Sequence, residues 1–183
     1  MDITTPRLIL RDFTADDLPA FLAYQSDPRH SEFYGPQEIG PEHARSLLER
    51  FVAWAAESPR QNYQLAIVPL VQRDDSQELI GSCGVRLQGC AAGMAEFGLQ
   101  LAPESWGRGF ATEAARAILS YAFSDLDVHE VRGVTVTENA RVQRLVARLG
   151  FTKVEMRPGP AWMRTRGWSQ TEWRLTREEW GPE

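Results

Sequence analysis

Apolar positions along this 183-residue chain change period several times, and each change marks an element. After Pro41, the residues Ala44, Leu47, Leu48, Phe51, Val52 and Ala55 recur at three- and four-residue steps. That spacing predicts a helix with one apolar stripe and a proline in its first turn. A second helix from about Phe110 to Phe123 carries Ala111, Ala115, Ile118 and Ala122 on one face, small enough for close packing on a sheet. Between the two helices, Tyr63 to Val71, Glu78 to Leu87 and Met94 to Leu101 read as strands of an antiparallel meander. Turn-rich segments from Gln72 to Gln77 and from Gln88 to Gly93 separate them. Upstream, Arg7 to Arg11 is a short strand, and Thr14-Ala15-Asp16-Asp17 reads as an N-cap with an acidic first turn, opening a helix through about Tyr24. Downstream, Val131 to Val136 is a strand, and Asn139 to Leu149 is a helix stopped by Gly150 as a left-handed cap. Phe151 to Met156 is a further strand, beside which Thr171 to Thr176 could pair. This order gives an α/β fold of the α+β mixed-sheet kind, three layers deep.

Length and composition narrow the class. The chain fits one domain, residues 1–183, with a sizeable single core, and its 43% apolar and 25% charged residues are those of a globular protein. No apolar run is long enough to span a bilayer, and Met1 to Arg7 does not read as a secretory leader, so a cytoplasmic location without a membrane partner is the default expectation. Cys83 and Cys90 lack metal-ligand spacing and read as reduced thiols, while His30, His43 and His129 are scattered, so no metal is expected. A net charge of -5 argues against a nucleic-acid partner.

The most informative stretch is Glu104-Ser105-Trp106-Gly107-Arg108-Gly109-Phe110-Ala111-Thr112-Glu113-Ala114, between a strand and an alanine-rich helix. Gly107 and Gly109 let the backbone turn tightly, and the first turn of the following helix presents amides without intrahelical partners. Those amides and the helix dipole favour a phosphate. A plain strand-to-helix turn would carry the same glycines. A dinucleotide-binding oxidoreductase would pair Gly107-x-Gly109 with Glu130, but Thr112 stands for its third glycine and the meander lacks repeated strand-helix-strand units.

Taken with Thr5-Pro6-Arg7-Leu8-Ile9-Leu10-Arg11, Ala95-Glu96-Phe97-Gly98-Leu99, Glu138-Asn139 before Leu149-Gly150-Phe151, and the closing Arg177-Glu178-Glu179-Trp180, the chain resembles the GNAT superfamily of N-acetyltransferases. The resemblance is specifically to its ribosomal-protein (RimJ/RimL-like) branch. The resemblance implies a mostly antiparallel sheet in which the strand from Glu96 to Leu101 splays from its parallel neighbour, Val131 to Val136. It implies acetyl-CoA as cosubstrate, its arm along Leu99, Gln100 and Leu101 and its pyrophosphate against Trp106, Gly107, Arg108, Gly109, Phe110, Ala111 and Thr112. Arg108 would supply positive charge, and Asn139 would cap its helix and face the arm. A pure cap role for Asn139 fits equally. A homodimer is plausible by the same resemblance.

Acetyl transfer then runs to a primary amine, on a protein N-terminus, a peptide or a small molecule, by direct attack. Glu96 is the candidate base, with a structural carboxylate as its other reading. Amides near Leu99 would polarise the carbonyl. The positions where relatives carry a tyrosine or a serine as proton donor are Val146 and Val142 here, and neither can donate. A catalytically weak domain that keeps the coenzyme site as a sensor or scaffold is therefore the competing reading. Glu155 and His129 read as surface residues, and Arg157, Trp162, Arg164, Arg166 and Trp168 as either an aromatic, cationic lip over the substrate or paired strand aromatics.

Overall fold

A computed structural model describes residues 1–71 and 78–181, so the turn assigned to 72–77 lies outside the described residues. One eight-stranded sheet organises the chain: β1 (Asp2–Thr4), β2 (Leu8–Asp12), β3 (Asn62–Pro69), β4 (Gly81–Arg86), β5 (Met94–Leu101), β6 (Glu130–Val136), β7 (Thr152–Pro158) and β8 (Ser169–Thr176). The spatial order is β1-β2-β3-β4-β5-β6-β8-β7. Every pair is antiparallel except β5 with β6. The mixed-sheet expectation and the meander therefore hold. The last strand does more than pair beside β7: it is inserted between β6 and β7, a choice the period-2 pattern alone does not make.

Helices cover both faces. α1 (Leu18–Gln25) and α3 (Pro41–Ala55) lie on one side, where Phe13, Phe21, Tyr24, Leu48 and Phe51 pack on Ala66 and Val68. α4 (Phe110–Asp125) lies on the other, where Ala115, Ile118 and Leu119 pack with Leu65, Ile67 and Val85. β3 is thus buried on both faces, which accounts for its unbroken apolar run. Ile118 and Leu119 are fully buried, each stabilising the fold by about 1.5–3 kcal/mol. The alanines of α4 hold the helix close to the sheet, so Ala115→Leu would overpack that layer at a cost of about 1–3 kcal/mol.

Other segments differ from the pattern in detail. The residues after Thr14 form a 3-10 turn, Ala15–Asp17, before α1 begins at Leu18, because Pro19 fits a helix only in its first turn. Three one-turn helices, α2 (Pro28–Ser31), α6 (Ala161–Arg164) and α7 (Arg177–Trp180), are too short to show a period. α5 (Ala140–Arg148) is capped as expected: Asn139 Oδ1 accepts from Val142 N at 3.3 Å, and Gly150 has φ +83°. Among the described residues no helix is long and apolar enough to cross a membrane.

Candidate active site

The parallel ladder between β5 and β6 ends where Glu96 meets Arg132. Each strand stays paired on its other edge, β5 with β4 as far as Leu101 and β6 with β8 as far as Val136. The two strands therefore diverge beyond 96 and 132. A Cβ on Gly133 would stand 3.5 Å from the Phe97 carbonyl, so the gap opens between backbones that are still close. Backbone groups on the facing edges have lost their ladder partners and need others. Trp106 Nε1 serves one of them, donating to the Leu101 carbonyl at 3.0 Å.

At the far end of β5 the chain turns through Pro103–Ser105 into the glycine loop. Gly107 (φ +74°) and Gly109 (φ +81°) both occupy the left-handed region, where a side chain is strained. Nothing lies within 4 Å of a Cβ placed on Gly107, so the backbone faces open space there. Gly109 is the N-cap of α4 and has no side chain to satisfy the free amides of the first turn. The loop is braced from below. Glu113 accepts from Thr5 Oγ1 at 2.6 Å, Arg7 N at 2.9 Å and Arg7 Nε at 2.6 Å, while Arg7 Nη1 donates to the Arg108 carbonyl at 2.9 Å. Burial raises the Glu113 carboxyl, but the bonds from Thr5 and Arg7 outweigh it and hold it below the usual range.

Two cavities flank the divergence. The first, about 350 Å³, is lined by Leu99, Gln100 and Leu101 on β5, by Trp106, Gly107 and 109–112 at the glycine loop, and by Asn139 at the start of α5. Ten of the eleven residues expected around the coenzyme are thus brought together. Arg108 is the exception: it does not line the cavity, and its guanidinium lies 4.8 Å from the Phe110 ring centroid. The cavity's cations are instead Arg29, Arg141, Arg144 and Arg148. Arg29 is paired with Asp27 and Glu104, and Arg141 stacks 4.0 Å over Trp106. Arg144 and Arg148 have no hydrogen bond or ion pair among the described residues. Positions 141, 144 and 148 share one face of α5, a three- and four-residue spacing visible in the sequence that charge counting overlooked.

The second cavity, about 560 Å³, opens on the α1 and α3 side of the sheet. Glu96 lies here and not in the first cavity. Its Oε1 accepts from Arg86 Nη2 at 3.1 Å, and its side chain is 58% exposed. Trp162 lines this cavity, with Trp168 edge-on to it at 6.3 Å and Arg166 4.9 Å over Trp168. Arg166 Nη1 also donates to the Glu32 carbonyl, so the late aromatic segment closes over the residues after α2. Glu155 is exposed on β7, as expected, and so is His129.

Seven residues line both cavities: Phe33, Tyr34, Leu99, Gln100, Asn139, Val142 and Leu145. Val142 therefore does reach the junction, and Val146 lines the second cavity from the core, where neither offers a proton. Tyr34 is the one ionisable member of the shared set. Burial pushes its phenol up to about 12, with the Gln100 side chain pulling the other way. Sequence reading missed it because a lone tyrosine after a one-turn helix carries no pattern. His30, stacked 5.3 Å from Tyr34, is buried at the first cavity with Nε2 unpartnered, and burial lowers its imidazole below the ordinary range. Among the described residues no three His, Cys, Asp or Glu side chains lie close enough to hold a metal ion.

Comparison with known proteins gives the family. Residues 7–152 match the family model of the acetyltransferase (GNAT) domain. The chain belongs to the GNAT acetyltransferases. A GNAT relative, the uncharacterized N-acetyltransferase YoaA of Bacillus subtilis, is 32% identical over 152 residues, covering 82% of each chain. Among solved GNAT structures, a ribosomal-protein-S5-alanine acetyltransferase from Vibrio fischeri aligns over 100% of both chains with a TM-score of 0.77 at 15% identity. Spermidine N-acetyltransferase from Vibrio cholerae, in complex with CoA and spermine, aligns over 96% of this chain and 99% of its own with a TM-score of 0.76 at 18% identity. At those identities the two structures share the GNAT fold with this chain.

Proposed function

We propose that the protein moves the acetyl group of acetyl-CoA to a primary amine, on a protein N-terminus or a small molecule, by direct attack of the amine on the thioester. The observation that carries this reading is the meeting of two cavities at Leu99, Gln100 and Asn139, where β5 leaves β6. The first cavity takes the coenzyme. Its pyrophosphate lies against the amides of 107–112, an edge kept open by the missing side chain of Gly107. Arg144 and Arg148 face the remaining phosphate charge. The arm adds to the free edge of β5 along 99–101 like an extra strand, and Asn139 faces it from the helix cap.

The second cavity takes the amine. Glu96 accepts the amine's proton through water by its free Oε2, while Arg86 holds Oε1. The amide of Leu99 stabilises the oxyanion as the nitrogen bonds to the carbonyl carbon. The carbon–sulfur bond then breaks, and the sulfur takes a proton from Tyr34, which regains one from solvent in the shared space. One proton leaves nitrogen and one reaches sulfur, so the step balances.

Calorimetric titration with acetyl-CoA, with NAD as control, followed by thiol release over a panel of amines, tests the proposal. Saturable binding of acetyl-CoA alone together with amine-dependent release supports it. Binding without release above background identifies a coenzyme sensor instead, and absence of binding by folded protein removes the coenzyme assignment.

A further inference from the structure

The second cavity carries more information about the acceptor than its volume. On the functional reading above, we infer that its occupant is a zwitterionic aromatic amine, such as an aromatic α-amino acid, and not a polyamine.

Charge complementarity is the first argument. Two carboxylates, Glu38 and Glu96, and two guanidiniums, Arg50 and Arg86, line the cavity. Glu38 Oε2 accepts from Gly35 N at 2.7 Å and Glu96 is paired with Arg86, whereas Arg50 has no hydrogen bond or ion pair among the described residues. A polycation would need carboxylates in excess, and a phosphorylated acceptor would need guanidiniums in excess. Equal numbers with one cation unspent fit a molecule that brings one ammonium and one carboxylate.

The second argument is that Arg86 is positioned for recognition. Its Nη1 donates to Gln64 Oε1 at 3.0 Å and its Nη2 to Glu96 Oε1 at 3.1 Å, fixing the guanidinium across three strands. A Cβ on Gly98 would stand 3.0 and 3.2 Å from the two terminal nitrogens, so the guanidinium lies close over the Gly98 backbone on the cavity floor. Of the five N–H groups of an arginine, two are engaged by these partners, and the other three have no hydrogen-bond partner among the described residues.

The third argument is the aromatic lining. Phe51 and Trp54 on α3 and Trp162 on α6 face the cavity, offering flat apolar surface for a planar body. A cavity of about 560 Å³ is of small-molecule size and accommodates an amino acid with a two-ring side chain.

L-Tryptophan, tryptamine and spermidine separate these features, because tryptamine keeps the ring and amine and lacks only the carboxylate. Binding of each to the complex with CoA is measured by calorimetry, and kcat/KM by thiol release with acetyl-CoA. We expect L-tryptophan to exceed tryptamine and spermidine by about tenfold or more in both measures. Arg86→Gln should remove the advantage over tryptamine, and Arg50→Gln, an exposed change on α3 that leaves the fold intact, should reduce it. Equal or stronger binding of tryptamine or spermidine, no binding of L-tryptophan, or an advantage unchanged in both variants overturns the inference. Failure of the broader functional reading is seen separately, as absent acetyl-CoA binding in the same titrations.

Discussion

Arg7 grips Glu113 from a turn 106 residues away in sequence, with its backbone N–H and its Nε on the two carboxylate oxygens and its Nη1 on the Arg108 carbonyl. The β1–β2 turn is thereby a buttress for the glycine loop, and Thr5-Pro6-Arg7 and Gly107-Arg108-Gly109 form one unit. Glu113→Ala should lower stability by about 1–2 kcal/mol, the low end for charge-assisted bonds because the Arg7 side chain is half exposed. It should also weaken acetyl-CoA binding, since the loop loses its brace. Urea unfolding with and without acetyl-CoA checks both, and a loss of stability with unchanged affinity would separate the brace from the site.

Acid should act through the same kind of contact. Burial raises the carboxyls of Asp17 and Glu113, yet bonds from Arg11 and Thr14 to the former, and from Thr5 and Arg7 to the latter, hold both below the usual range. A carboxylate lowered in the folded state adds stability that is fully present above its unfolded pKa and lost as pH falls through the folded value. The urea midpoint should therefore be flat near neutrality and fall below about pH 4. Asp17→Asn should lower the midpoint at pH 7 and flatten that acid limb.

The unpaired arginines of α5 supply a salt-sensitive test. Arg144→Glu and Arg148→Glu should each weaken acetyl-CoA binding by about tenfold at low ionic strength, with the deficit shrinking as salt screens it. Arg108→Gln, outside the cavity, should change affinity less than either. A larger effect at Arg108 would return the phosphate charge to the glycine loop.

Tyr34→Phe isolates the proton donor. It removes one hydroxyl and leaves the ring stacked on His30, so acetyl-CoA affinity should hold while kcat falls by about 10²-fold. An unchanged kcat would mean that water protonates the departing thiolate.

Periodicity disclosed the elements that bury a face. The stripe of α3, the alanine face of α4 and the meander were legible because side-chain burial repeats at 3.6 or 2 residues, and the glycine loop was legible because left-handed turns demand glycine. The cap at Asn139 and the stop at Gly150 follow the same local rules. The one-turn helices carry no period, and so Tyr34, which follows one of them, carried no signal, whereas Trp162 stood out only through the cluster of tryptophans and arginines late in the chain. What only the tertiary structure decided is which charges meet. Arg108 and Arg144 are equivalent as letters, but backbone direction turns one onto Phe110 and the other into the first cavity. Glu96 and Leu99 share a strand, yet Glu96 lines only the second cavity while Leu99 lines both. Local propensity is set within a few residues, whereas a site assembled from β5, α5 and the segment after α2 depends on long-range packing that no local window contains.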